Sequence, residues 1–359
     1  MTITSVQNRT QTWDQLLRKV REDDQKRVDF NTTWQDLGVL PADRTDPPLM
    51  THTADTGPDS KLMSVRAYRQ YLAKLGIQHR QTTLFSGDLQ GRMIRERLDF
   101  LDPGTQKPLV DPDAAIFLRT RPNQIRAILS GRYGNMRDVA VAEIVDKLLP
   151  DLQNYSVLRG RVADHVFSVT LIGRESIYAN GDSYYPIHVI QNSEVGASSF
   201  RVSSGVCKGA CSNGMIFGHR KDCSHRIRHL GANMADKVVA ALNEALGSVQ
   251  NWGGMIGEAI AAAKNVVFDL SDDKDKAKAV SKLRSRGLTK KLSKQVVDFS
   301  LELPQEVYGT EFLTNGQLTT EWGIINAMTH LAQDVNLFGE IERHDLEEAA
   351  GQLLLVRRV

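Results

Sequence analysis

Between residues 114 and 206 the chain breaks into short runs rich in β-branched and aromatic residues, whereas beyond residue 231 every apolar stretch has helical composition. Runs at 114–119, 124–130, 155–162, 165–173, 184–191 and 198–206 read as strands, with Pro122-Asn123 and Asn180-Gly181-Asp182 as turns. Segments at 234–246, 257–267, 274–283, 288–301, 321–337 and 345–355 read as helices. The order predicts an α+β fold: a central antiparallel sheet with packed helices over residues 61–231, followed by a helical C-terminal region at 232–359.

The first sixty residues read as peripheral. Trp13, Leu16, Leu17 and Val20 have helical spacing, which predicts a short amphipathic helix near 12–22. Residues 41–60 are rich in Pro, Asp, Thr and Gly and poor in large apolar side chains, so 1–60 is expected to be a helix and a flexible linker. Order resumes at Ser64, an N-cap residue ahead of Val65, Tyr68, Tyr71, Leu72 and Leu75, with Gly76 closing the helix. Asp138 is expected to cap a helix through Val141, Ile144, Val145 and Leu148.

The sharpest chemistry lies in the 206–230 stretch, which holds all three cysteines and three of the nine histidines. Thiolate and imidazole are the ligands zinc prefers. Cys207, Cys211, Cys223 and His225 would complete a tetrahedral structural site, with His219 or His229 as substitutes. Spacing weakens the zinc reading, and a zinc deaminase most of all. Cys-x3-Cys has no second knuckle, and the His-x-Glu and Pro-Cys-x-x-Cys elements of a zinc deaminase are missing. The competing reading makes Cys211 a small buried hydrophobe and the histidines hydrogen-bonding groups.

Charge is unevenly spread. The formal net charge is only +2, yet residues 274–294 carry nine basic residues and one acid, Asp275, an excess of eight. A helix there would present Lys274, Lys278 and Lys282 on successive turns. Such a ridge suits a phosphate backbone, and a face solvated by lysines is the plainer alternative. A second cluster comprises Arg220, Lys221, Arg226 and Arg228; a third comprises Arg119, Arg121, Arg126, Arg132 and Arg137. Tyr133, Tyr155, Phe167, Tyr178, Tyr184, Tyr185 and Phe217 are candidates for base stacking wherever they reach the surface.

Several signatures are missing. There is no Gly-x4-Gly-Lys-Ser/Thr phosphate loop, no His-Glu-x-x-His and no Gly-x-Ser-x-Gly. Gly253-Gly254-Met255-Ile256-Gly257 follows no strand and reads as the start of a helix. The acidic groups Asp111/Asp113 and Asp272/Asp273/Asp275 sit in turn-like or helix-start text, where Asp is expected without a metal. An enzyme is therefore not the leading reading, and no cofactor is required. Odd cysteine count, the unremarkable N-terminal text and the lack of any long apolar run predict a cytoplasmic protein with no membrane partner.

Five scattered segments together carry a resemblance: Ile128-Leu-Ser-Gly-Arg-Tyr133, Asn192-Ser-Glu-Val-Gly196, Gly209-Ala-Cys-Ser-Asn-Gly-Met215, Arg228-His229 and Trp322-Gly-x-x-Asn326-Ala-x-Thr329. Their order and spacing over about 110–335 resemble the phage/plasmid-like proteins catalogued as domain of unknown function 932. That family has no assigned activity. Its setting implies looser kinship with single-strand annealing proteins of the RecT, Red-beta and Erf types. Against its pattern Cys207 and Cys223 are additional, and Lys208 stands near a family Arg, leaving a positive charge there.

The combined expectation is a phage- or plasmid-encoded protein that binds nucleic acid, single-stranded DNA above all, as a homo-oligomer that promotes annealing. Lys282, Arg284, Arg286, Lys290 and Lys291 would contact the backbone, joined by Arg220, Arg228 and Lys208. The alternatives are a mobile-element factor that binds or inhibits a host protein, and a zinc enzyme at the Cys/His loop.

Overall fold

The protein is seen in a computed structural model that describes residues 12–40, 49–54, 57–82, 87–108, 110–148, 154–179, 182–208, 214–216, 223–248, 252–301, 318–333 and 340–355. The chain opens with α1 (Trp13–Gln25), then β1 (Val28–Thr33), β2 (Leu37–Leu40), β3 (Leu49–Ala54) and β4 (Gly57–Met63). Helices α2 (Val65–Lys74), α3 (His79–Thr82) and α4 (Gly87–Leu98) follow, and then the hairpin β5 (Ala115–Arg121) and β6 (Gln124–Ser130). These strands form a six-stranded sheet in the order β1-β5-β6-β4-β3-β2, antiparallel except where β4 runs parallel to β6.

Helix α5 (Asp138–Leu148) leads to a second sheet of β7 (Tyr155–Val162), β8 (Phe167–Gly173), β9 (Ile177–Ala179), β10 (Asp182–Asn192), β11 (Phe200–Lys208), β12 (Gly214–Ile216) and β13 (Ser224–Ile227). Its order is β12-β11-β10-β8-β7, with β13 also on β11 and β9 on β10, and every pairing is antiparallel. The rest is helical: α6 (Met234–Gly247), α7 (Trp252–Lys264), α8 (Asp273–Arg284), α9 (Lys290–Phe299), α10 (Glu321–Leu331) and α11 (Glu340–Leu355), with β14 (Val267–Asp269) paired to β15 (Leu318–Thr320). The α+β class is as the sequence predicts. None of the described helices is long and apolar enough to cross a membrane.

Three apolar clusters hold these layers. One packs α2 and α4 on the first sheet, through Tyr71, Leu72, Ile94 and Ile128. A second joins α1, α5 and α6 to one face of the second sheet, through Leu16, Val141, Phe167 and Leu242. The third gathers α7–α11 around Trp252 and Trp322 and reaches Tyr184, Val206 and Cys223 of the sheet region. Burial of this kind contributes about 1.5–3 kcal/mol per large side chain.

The described part of the first sixty residues is not peripheral. Trp13, Leu16, Leu17 and Val20 sit in the second core, and the Trp13 indole donates to Asp146 Oδ1 at 2.7 Å. Strand β1 flanks the first sheet, and part of the stretch expected as a linker pairs as β3 and β4. Polar strand text such as Thr51-His52-Thr53 carries no alternation of apolar and polar residues in the sequence, so only the backbone pairing reveals the strand. The Asn180-Gly181 turn itself lies outside the described residues, although Ala179 pairs with Asp182 across it. Ser64 caps α2 as expected, accepting from Ala67 N at 3.0 Å, and Gly76 closes it at φ +68°. Gly253, Gly254 and Gly257 lie inside α7.

Candidate functional site

Strand β6 carries one more residue than its partner. Arg119 pairs with Ala127 and Thr120 with Ile125, so Arg126 is the extra residue of a β-bulge. Alternation would place Arg126 on the side of Ile128; the bulge lets it share the side of Ala127 and Leu129, which pack on Val195. There the Asn192–Gly196 turn brings Glu194 into the junction between the two sheets.

Glu194 organises a buried ionic centre. Its Oε1 accepts from Arg126 Nη1 at 2.5 Å, its Oε2 from Arg27 Nη1 and from Asp138 N at 3.3 Å, and its carbonyl from Arg119 Nε at 2.6 Å. Arg119 also donates to Asp29 Oδ2 at 2.7 Å and Asn135 Oδ1 at 2.5 Å. Burial pushes Glu194 up, but Arg27, Arg119 and Arg126 outweigh it and hold its carboxyl below the usual range. Burial, with Glu194 adding, holds Asp138 well above that range. The Asp138 carboxylate accepts from Asn192 Nδ2 at 2.7 Å instead of capping α5; Asp138 is itself the first helical residue.

The third basic cluster of the sequence is therefore a structural network. Arg119, Arg121, Arg126 and Arg137 pair with Asp29, Asp23, Asp164, Glu194 and Asp24, and of that set Arg132 alone is fully exposed. Nothing in the local sequence announced this, because the neutralising acids lie up to 113 residues away.

Tyr133 and His229 close one side of this centre. Their rings stack at 5.1 Å with planes 12° apart, and Tyr133 donates its phenol to Ser193 O at 2.9 Å. Backbone bonds from Gly134 N to His229 O and from Gly231 N to Arg132 O knit the two segments. Burial, with Arg119 adding, lowers His229 to about 4, so it is neutral at pH 7. Three of the five family-like segments thus meet here. Arg228 is exposed beside them, whereas the Trp322–Thr329 segment lies within the helical core.

A cavity of about 510 Å³ adjoins the ionic centre, lined by the start of α2 (Ser64, Arg66, Arg69) together with Gln124, Arg126 and His165. The sequence reading did not single out Arg66 and Arg69; only the tertiary structure places them opposite His165.

The described zinc candidates, Cys207, Cys223, His225 and His229, lie in separate surroundings. Cys207 is buried with Leu158 and Ile187, while Cys223 is buried with Val206 and Tyr184. Val206 and Cys207 are adjacent on β11, and strand alternation sends them to opposite faces. His225 lies 3.7 Å from Glu244, and His229 is at the ionic centre. Cys211, His219, Arg220 and Lys221 lie outside the described residues, as does the side chain of Lys208. Among the described residues no three His, Cys, Asp or Glu side chains form a metal-holding group.

The Lys-rich segment folds as α8, a turn through Gly287 at φ +91°, and α9. Part of its charge is compensated, twice by acids outside the 274–294 window and once by Asp275 within it. Lys282 pairs with the buried Glu321, Lys276 with Asp298 at 2.6 Å, and Lys278 with Asp275 at 2.7 Å. Lys274, Arg284, Lys290, Lys291 and Lys294 are exposed, and no carboxylate among the described residues pairs with them; Arg286 is half-buried. Asp272 caps α8, accepting from Lys274 N, and Asp111 accepts from Asp113 N, the turn and cap roles expected of them. Of the aromatic candidates, Phe167 and Tyr184 are core and Tyr178 is 73% exposed.

One family, described as Domain of unknown function (DUF932), matches residues 127–351, more than half of the chain. No curated protein and no solved structure matches.

Proposed function

The chain belongs to the DUF932 family, and on that premise we propose that it binds nucleic acid, single-stranded DNA above all, through phosphate contacts at the corner between α8 and α9. The observation that carries the reading is the exposure of Arg284, Lys290 and Lys291 on either side of the Gly287 turn, with no carboxylate among the described residues paired to them. Lys290 and Lys291 occupy the first turn of α9, which holds no acid, so they add to the positive end of the helix dipole. That arrangement works against the helix and in favour of an anion placed at its N-terminus. A compact positive corner suits a strand that bends to meet it better than a duplex of fixed groove. The same reading places the protein in the cytoplasm of a bacterium carrying a phage or plasmid.

Anisotropy titration of a labelled oligonucleotide over a series of salt concentrations tests this. Affinity should fall steeply with salt, and Arg284→Glu/Lys290→Glu/Lys291→Glu should flatten the slope by about 2, at roughly 0.7 per single-strand phosphate contact. Lys278→Ala, which removes a cation already paired, should leave affinity unchanged. Salt-insensitive binding, or a triple variant indistinguishable from wild type, overturns the reading.

A further inference from the structure

We propose that the cavity between α2, β6 and the β7–β8 connection binds the phosphate of a ligand of mononucleotide size. This site is separate from the α8–α9 corner and does not rest on the reading given for that corner.

The cavity has a charge left over. Arg66 and Arg69 are neighbours at i and i+3 on α2, and neither pairs with a carboxylate among the described residues. Asp164 is the one carboxylate among the described lining residues, and it is engaged by Arg121 at 2.8 Å. Like-charged guanidiniums held one turn apart without a counter-charge repel each other, and an anion between them relieves that repulsion. Burial, with Arg69 adding, already lowers Arg66; burial, with Arg66 and Arg161 adding, lowers His165.

The walls are fixed in place. Arg126 is 3% exposed, and its two terminal nitrogens are held by Glu194 Oε1 and the Asp164 carbonyl, while its Nε has no hydrogen-bond partner. Gln70 spends both ends of its amide, donating to Val195 O at 2.8 Å and accepting from Ile128 N at 3.0 Å. Ser64 donates to Arg126 O at 2.9 Å, so the first turn of α2 is anchored to β6 where it lines the cavity. Of these groups Arg126 Nε has a donor left to offer, and the rest hold the shape of the wall from which Arg66 and Arg69 project.

Size and surroundings extend the ligand beyond a bare ion. At about 510 Å³ the cavity falls in the range that holds small organic ligands. Val65 on its wall is 57% exposed, and Leu62, paired with the lining residue Gln124, is 42% exposed. Val65 gives the cavity an exposed apolar wall beside Arg66 and Arg69, which matches a phosphate joined to a flat ring system.

Isothermal titration of the full chain with 2′-deoxyadenosine 5′-monophosphate, inorganic phosphate and deoxyadenosine tests the proposal. The nucleotide should bind one per chain and at least tenfold more tightly than the nucleoside, with phosphate alone between them. Arg69→Gln, at an exposed helix position, should fold normally and weaken the nucleotide at least fivefold; Arg66→Gln/Arg69→Gln should abolish the preference for the phosphorylated form. Lys290→Glu/Lys291→Glu should leave the nucleotide isotherm unchanged, which separates this site from the α8–α9 corner. A 5′-phosphorylated oligonucleotide that outcompetes its 5′-hydroxyl counterpart identifies a strand end as the source, and equal competition identifies a free nucleotide. Equal binding of nucleotide and nucleoside, no binding of either, or an Arg69→Gln variant that binds as wild type overturns the proposal.

Discussion

Tyr133 lies flat against His229, ring centroids 5.1 Å apart, and fastens the strand–helix connection after β6 to the segment before α6. The pair spans nearly a hundred residues and shares its neighbourhood with Glu194 and Arg119. Because the phenol donates to Ser193 O at 2.9 Å, Tyr133→Phe should remove one hydrogen bond and keep the stack. The expected loss is about 1 kcal/mol in urea unfolding at unchanged m-value.

Glu194 answers two buried guanidiniums at once. Glu194→Gln leaves Arg27 and Arg126 with side chains 1% and 2% exposed and no anion between them. Removing one partner of a buried ion pair costs about 3–5 kcal/mol, so this variant should unfold at markedly lower urea. Lys278→Ala, which breaks a solvent-screened pair whose lysine is 71% exposed, should leave the urea midpoint close to that of the wild type.

Gly134 has no room for a side chain. A Cβ there would lie 2.6 Å from Met234 Cγ and 2.8 Å from the Gly231 carbonyl. Gly134→Ala should therefore destabilise by about 1–3 kcal/mol, read as a lowered Tm. Gly254 in α7 meets nothing within 4 Å, and Gly254→Ala should raise Tm, since alanine is the better helix former by up to about 1 kcal/mol.

His188 is wholly buried, donates to or accepts from Ser204 Oγ at 2.8 Å, and is lowered to about 4 by burial alone. Unfolded, it takes up a proton near pH 6.5; folded, it resists until about pH 4. The unfolded state thus binds more protons between those values, and this histidine's contribution falls as pH drops through that window. Asp138 and Asp29, both raised chiefly by burial, act in the opposite sense, so the wild-type profile alone does not isolate the histidine. His188→Asn keeps an N–H for Ser204. The stability gap between wild type and this variant should narrow by about 2 kcal/mol from pH 7 to pH 4.5. A gap constant with pH would show that His188 does not titrate as its burial requires.

The helix and strand text was legible wherever one face is buried. Ser64, Tyr68, Tyr71 and Leu72 give α2 its cap and its apolar face, and the same residues do this in the structure. The hairpin of β3 and β4 was not legible, since its alternation is between polar residues. The ionic centre was read as a basic cluster, and the cavity arginines passed as ordinary helix-surface residues.

Local periodicity is a property of neighbouring residues, so the sequence by itself determined the strands and helices that bury one apolar face, the Ser64 cap and the α+β class. Charge balance is not local. Whether an arginine is a free cation or half of a buried pair depends on which acid the fold brings to it, and Glu194 reaches Arg126 across 68 residues of chain. Only the tertiary structure could neutralise Arg119, Arg126 and Lys282, bury Cys207 and Cys223 in different clusters, and leave Arg66, Arg69, Lys290 and Lys291 among the cations with no described carboxylate paired to them.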